Sequence, residues 1–367
     1  AIPRIPAAVH AARSKARELG IPIRVVAGGP HASGDPAGTL ALGFDAVLTG
    51  EAEESFPAWL AELADGRDGL DTPGLGRIEA GRLRLNARPR PVDLDAYPPF
   101  APRSGWFSMF ELTRGCPWAC GFCQTSRLFG RAVRHRSIAE VVRWAEVGRS
   151  LGRRDLRFVS PDVFAYGSPD GLSADPARVE ALLLACLGVF GRGHVFLGSF
   201  PSEARPGTIS AETVGLVRRL AGNDNIAFGA QSGSDRMLER LRRGHDVAAV
   251  FRAARTILDA GLRPVVDFIA GLPGETDEDR AETRVTMRRL AAMGATLHTH
   301  AFMPLPGTPL ARCAASPVDP ETRELTSSLA GHGRQFGPWE RQEAIARRGA
   351  AGGAETRPLL EPSCPDC

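Results

Sequence analysis

Lysine is almost missing from this chain of 367 residues: Lys15 is the single one, so arginine supplies nearly all of the 45 basic side chains. Against 42 acidic residues the formal charge is only +3, and the arginines are spread along the chain. Both facts argue against a surface built to hold nucleic acid. Also missing is any run approaching the ~18 apolar residues that cross a bilayer as a helix. The opening AIPRIPAAVHAARSKARELG has neither the apolar centre nor the cleavage pattern of a secretory signal. A transmembrane helix is thus excluded and a cytoplasmic setting is expected. Because residue 1 is not Met and the first units enter mid-architecture, further sequence is expected upstream. Cysteines number seven, an odd count, and three of them crowd into positions 116–123. That is a ligand pattern and not a disulfide framework, which a large core does not need.

What is present is ordinary for a globular protein. Apolar residues make up 43% and charged residues 24%, which excludes disordered, collagenous and coiled-coil chains. At roughly 150 residues per domain the length suggests two or three domains.

The fold class expected is α/β, a partial (β/α)6 TIM-like barrel preceded by a partial Rossmann-like α/β domain. In residues 1–65 a helix over 7–19, strands at 23–29 and 45–50 and a helix to about 64 alternate as in a parallel sheet. Residues 66–102 are rich in Gly, Pro, Arg and Asp and read as a linker, with 75–86 as an alternative small hairpin. Residues 103–330 repeat one unit six times, with strands at 107–113, 156–160, 195–199, 226–230, 264–270 and 296–303. Helices fit at 176–190, 210–221, 246–260 and 277–293, and Ser137 and Glu140 have capping-box spacing before another. Residues 331–367 form a C-terminal extension ending in a Cys364/Cys367 pair. In such a fold the site lies where the carboxyl ends of the strands converge.

The segment ELTRGCPWACGFC places Cys116, Cys120 and Cys123 in one loop after the first of these strands. Three soft thiolates suit iron or zinc, but a closed zinc site wants a fourth ligand, and none is near in sequence. Three cysteines on a four-iron, four-sulfur cluster leave one iron open. Cys186 sits in an apolar run and reads as core. Cys313 reads as structural or as a thiol near the pocket, and Cys364/Cys367 as a tail or an auxiliary thiol pair.

The CxxxCxxC spacing with Phe122 before the last cysteine, followed by six β/α units, resembles the radical S-adenosylmethionine (SAM) superfamily. The resemblance implies a [4Fe-4S] cluster on the three cysteines. It also implies reductive cleavage of SAM to a 5'-deoxyadenosyl radical, with an electron donor of flavodoxin or ferredoxin type. It further implies that Phe122 lies by the adenine and that Ser160 and Asp162 lie at the open mouth. Ser199, Glu203 and Arg205 would contact ribose or methionine, Gln231 and Ser232 would bond SAM, and Gly271 and Gly274 would turn close to adenine. His298 and His300 share one strand face and are either core histidines or substrate contacts. The MPLPGTPL turn at 303–310 resembles the end of that barrel.

VVAGGPH at 25–31 and VLTGEAEESFPAWL at 47–60 resemble the second half of a cobalamin-binding domain, in which Gly28 and Gly29 would make room for the nucleotide tail. The Asp-x-His-x-x-Gly loop of that family is not found, and His31 is on the wrong segment to replace its histidine. Cobalamin is therefore possible if upstream sequence exists and doubtful if the chain is complete. The function expected is methyl or alkyl transfer to an unactivated carbon of a small-molecule, lipid or peptide substrate. The alternative is a cobalamin-independent rearrangement, cyclisation or oxidation. Methylthiotransfer ranks below these because its usual flanking domains are not found, and a noncatalytic iron–sulfur scaffold ranks last.

Overall fold

The computed structural model describes residues 4–352, so the Cys364/Cys367 pair lies outside the described residues. Strands β1 (Val26–Ala27) and β2 (Ala46–Leu48) pair in parallel. β3 (Leu75–Glu79) and β4 (Arg82–Leu85) form an antiparallel hairpin that joins the β2 edge, giving the order β1-β2-β3-β4. The segment weighed above between linker and hairpin is thus part of the N-terminal sheet. Helices α1 (Ile5–Glu18), α2 (Gly29–Gly34), α3 (Pro36–Ala41) and α4 (Ser55–Ala64) accompany it.

The first expected barrel strand is split. β5 (Phe110–Glu111) enters the barrel sheet beside β8 (Leu156–Val159), whereas β6 (Thr113–Arg114) pairs antiparallel with β7 (Arg134–His135). The chain therefore leaves the sheet just before the cysteines, and helix α5 (Thr125–Phe129) follows them. β9 (Val195–Phe196) extends the order to β5-β8-β9. β10 (Asn225–Gln231), β11 (Arg263–Ala270), β12 (Thr296–Ala301) and β13 (Gln335–Phe336) form the other half, parallel throughout. A parallel bridge between Ala204 and Phe228 joins the halves. The six expected barrel strands are all present, and β13 adds a short seventh within the residues expected as C-terminal extension. At two residues it is too short for periodicity to reveal, and its pairing with β12 identifies it.

Helices α6 (Ile138–Ser150), α7 (Pro176–Phe190), α8 (Ala211–Leu220), α10 (Val247–Asp259), α11 (Asp277–Met293) and α12 (Pro320–Gly331) run between these strands, and the short α9 (Asp235–Arg240) follows β10. Their starts are set chemically. Asp175, Asp246 and Asp319 each accept a hydrogen bond from the backbone N–H three residues on, and Ser210/Thr213 and Thr276/Asp279 form reciprocal boxes. Each cap contributes about 1 kcal/mol. At Ser137 only half a box forms, because the Glu140 carboxylate pairs with Arg143. Phe110, Phe158, Phe228, Phe268 and Leu297 fill one continuous core between strands and helices. α13 (Trp339–Gly352) begins with Trp339 packed against Ala301 and Val318. Among the described residues no helix is long and apolar enough to cross a membrane.

Two contacts seat the N-terminal unit on the barrel. A Cβ on Gly34 would lie 2.3 Å from the Pro306 carbonyl oxygen, so only glycine allows this approach. The buried Glu51 carboxylate accepts hydrogen bonds from Arg114 and Arg134, each at 3.0 Å, and from the Val92 N–H at 3.2 Å. Burial pushes its pKa up, but the two guanidinium groups prevail and hold it below the ordinary carboxylate value. Glu51→Gln should lower the unfolding free energy by about 3 kcal/mol, read as a fall in urea midpoint at unchanged slope. Since the folded pKa is depressed, the difference from wild type should be complete at neutral pH and shrink as pH falls through about 4.

Candidate metal centre

The cysteine loop is held from three sides. The Cys116 N–H donates to the Gly130 carbonyl at 3.1 Å, the Gly121 N–H to the Leu241 carbonyl at 3.0 Å, and the Leu310 N–H to the Gly121 carbonyl at 3.2 Å. Gly115, at φ +86°, lets the chain pass Ala132, whose carbonyl oxygen would be 2.0 Å from an added Cβ. All three cysteines are free thiols, Cys120 buried and the others half-buried.

Two guanidinium groups converge on Cys120. Arg243 Nη1 lies 3.4 Å and Arg205 Nη1 3.9 Å from its Sγ. Burial opposes the thiolate of Cys120, yet Arg243 and Arg205 hold its pKa below the ordinary thiol value. Burial instead pushes Cys116 up. Arg243 is anchored through Nη2 to the Gly229 carbonyl at 2.7 Å, and Arg205 donates to the Arg243 carbonyl while its Cζ sits 4.1 Å from the centre of the Trp118 ring. Arg243 Nε and Trp118 Nε1 are buried with no hydrogen-bond partner among the described residues. Soft thiolates with compensating charge fit an iron–sulfur cluster, and unspent donors beside them fit a polar ligand such as SAM.

The structure places the other expected residues as follows. Phe122 packs against Met237, Leu241, Ile269 and Leu310 with Arg243 facing its ring at 5.8 Å. Gln231 sits at φ +75° beside a register irregularity in β10. Ser232 is fully buried, and its hydroxyl meets that of Thr283 of α11 at 3.3 Å. The Asp162 carboxylate is spent on Thr208 (2.9 Å) and the Phe164 N–H, and Ser160 donates to the Asp162 carbonyl. Burial raises Asp162 to about 6.

The guanidinium of Arg205, expected at ribose or methionine, lies against Cys120 and the Trp118 ring. Ser199 lies in a cavity of about 300 Å³ with Phe200, Arg157 and the first residues of β10, β11 and β12. That is the end of the strands away from the cysteine loop. Gly271 (φ +71°) and Gly274 (φ +78°) allow close approach of the Ser316 carbonyl and the Arg240 guanidinium. Gly28 is extended, a conformation open to any residue, whereas Gly29 has φ +87° and open space at its Cβ. Cys186 is fully buried, with burial pushing its thiol to about 12. Cys313 is buried beside Phe302 and Leu310.

Glu203 was expected at ribose or methionine. Its carboxyl is instead hydrogen-bonded to Asp267, and burial together with that neighbour raises its pKa well above the usual value. Burial likewise raises Asp267 to about 6. Asp267 accepts from His298 Nδ1 at 3.0 Å, and His300 stands edge-on to His298 with ring centres 4.2 Å apart. Burial lowers the pKa of both imidazoles.

Arg243, Trp118, Gly244 and Asp267 were not singled out from sequence. The RRGH and DFIAGLPGET runs contain three of them, but only folding shows that Arg243 reaches back to Cys120. Gly244, at φ +67°, is where Trp118 packs, and an added Cβ would lie 2.0 Å from that ring. Gly244→Ala should therefore displace Trp118 and the cysteine loop at a cost of about 2–4 kcal/mol, and should reduce iron bound per chain after anaerobic reconstitution.

Residues 110–286 match the pattern of the Radical SAM superfamily. A Methanopyrus kandleri protein described as uncharacterized is 28% identical over 88% of this chain and 67% of its own length. The tRNA-2-methylthio-N(6)-dimethylallyladenosine synthase of Halorhodospira halophila is 34% identical over 65% of this chain and 48% of its own. The radical SAM methyltransferase TsrM from Kitasatospora setae superposes with a TM-score of 0.61 at 18% identity, covering 83% of this chain and 60% of that one. The chain spans about two thirds or less of these relatives' lengths. By its cysteine loop, its partial barrel and the match over 110–286, the chain carries a domain of the Radical SAM superfamily.

Proposed function

We propose that the protein transfers a methyl or alkyl group to an unactivated carbon of a small-molecule, lipid or peptide substrate. The observation that carries the radical part is the loop of three free cysteines with two guanidinium groups converging on Cys120. Methyl transfer is supported by the likeness to TsrM, which spans both the N-terminal unit and the barrel, and by a 27% identical Pyrococcus horikoshii protein described as an uncharacterized methyltransferase. The matches to methylthio synthases cover less of the chain.

Cys116, Cys120 and Cys123 would hold the cluster, and Arg243 Nε and Trp118 Nε1 are the free donors next to it. When bound, cluster and SAM supply one-electron cleavage of the sulfonium to a 5'-deoxyadenosyl radical. The chain's own part is to position and to shield. Arg205 and Arg243 balance charge at Cys120. The turn at Pro306 and Leu310 closes over the loop, with Gln124 Nε2 donating to the Pro306 carbonyl at 2.8 Å, which limits water. An electron donor of flavodoxin or ferredoxin type and a cytoplasmic setting belong to this proposal.

A cobalamin-independent reaction is the second reading. It is favoured by the extended Gly28, which makes no use of glycine's freedom.

Reconstituted protein should bind about four irons per chain and release 5'-deoxyadenosine from SAM under reducing conditions. Cys120→Ala should lower that release by at least about 100-fold. A fully loaded cluster without 5'-deoxyadenosine would sink the radical proposal. Transfer of a deuterated methyl from SAM, read by mass spectrometry of products, decides the outcome of the reaction. A saturable spectral change with hydroxocobalamin separates the two readings.

A further inference from the structure

We propose that Asp267, His298 and His300 form a second metal site inside the barrel, taking a divalent transition-metal ion such as Zn²⁺, Co²⁺, Mn²⁺ or Fe²⁺. The site is independent of the cysteine loop and of the radical reading. Asp267 and His298 are register partners on neighbouring strands, and His300 follows two residues on, so the sheet itself puts all three on one face. One ligand atom from each lies within 4.8 Å of the others. Metal–ligand bonds of about 2.0–2.2 Å need donors about 3–4.4 Å apart, so small side-chain rotations suffice.

The surroundings hold the ligands in place. His298 is stacked on Phe336 with ring centres 4.4 Å apart and meets the edge of Phe200 at 5.5 Å. Gln342 donates to His300 Nδ1 at 3.1 Å while its own Oε1 accepts from the Ala301 N–H at 3.0 Å. The Gln342 contact leaves the His300 proton on Nε2, so an ion would take the Nδ1 lone pair in place of Gln342. Asp267 has no ion-pair partner among the described residues except His298, and its carboxyl is hydrogen-bonded to that of the buried Glu203. Two buried carboxyls and two imidazoles therefore share a space whose nearest cation, Arg243, is already bonded to Gly229 and Cys120.

Two imidazoles and a carboxylate favour transition metals over calcium or magnesium. In the ion-free chain the His298 Nδ1–H bond to Asp267 holds the position. On binding, the neutral His298 ring carries its one proton on Nε2 in place of Nδ1, the proton shared by the Asp267 and Glu203 carboxyls leaves to solvent, and the ion takes the position between His298 Nδ1 and Asp267 with Glu203 as a fourth donor. The remaining coordination positions would accept an oxygen or nitrogen donor of the substrate.

The test is Co²⁺ titration of metal-stripped, full-length protein carrying Cys116→Ala, Cys120→Ala and Cys123→Ala, read by visible d–d absorption. Zinc per chain is measured alongside in cluster-loaded wild type. One Co²⁺ per chain is expected, weakened about 100-fold by His298→Ala or His300→Gln and unaffected by His332→Ala. If His298→Ala fails to fold, His300→Gln carries the test, because glutamine preserves hydrogen bonding near Gln342. Absence of saturable Co²⁺ binding in the triple-cysteine variant, or unchanged affinity in both histidine variants, overturns the proposal. Neither result bears on SAM cleavage, which is measured separately.

Discussion

A buried sulfur anion needs positive charge within hydrogen-bond reach, and the geometry around Cys120 follows from that requirement. Arg243 crosses from the end of α9 to the Cys120 Sγ while its other nitrogen grips the Gly229 carbonyl on β10. One side chain thereby ties the cysteine loop to the middle of the sheet. Arg205 completes the pair and is itself held by the Arg243 carbonyl and the face of Trp118. Gly244 is glycine because Trp118 occupies the space a side chain would need. Charge, stacking and a missing Cβ thus depend on one another.

The same logic of compensated burial joins the two units. Glu51 comes from the N-terminal sheet, yet its partners Arg114 and Arg134 lie on β6 and β7, the antiparallel pair that brackets the cysteine loop. Removing the carboxylate would leave two half-buried guanidinium groups facing each other, which is why this contact is worth more than the exposed ion pairs scattered over the surface. The close passage of Gly34 by Pro306 sets the distance at the second contact. Deeper in the barrel the balance is different. Glu203 and Asp267 meet where the neighbouring cation among the described residues, Arg243, is already bonded to Gly229 and Cys120, and a proton shared between the two carboxyls relieves their repulsion.

Much of this was legible in advance, and the reasons differ by residue. The strands at β8 to β12 are short apolar runs between amphipathic helices, and their periodicity marks them within a residue or two except at the end of β9, which stops three residues early. Ser210, Asp246 and Thr276 announce helix starts because a cap acts on its own neighbours. The cysteine spacing is local as well. β13 and the split of the first strand were not legible, since a two-residue strand has no period and exists only through its partner. The register irregularity between Gly229 and Gln231 illustrates another limit, since it too exists only through the neighbouring strand.

The sequence by itself determined the α/β alternation, the three-cysteine loop and the superfamily to which the loop belongs, because each is written in spacing along a few consecutive residues. Only the tertiary structure decided that Arg243 and Arg205 serve Cys120, that Glu203 meets Asp267, and that two histidines of β12 join them. Those partners are separated by 31 to 123 positions in the chain. Contacts of that range are set by which strands lie side by side and where the loops fold back, and no local pattern encodes them.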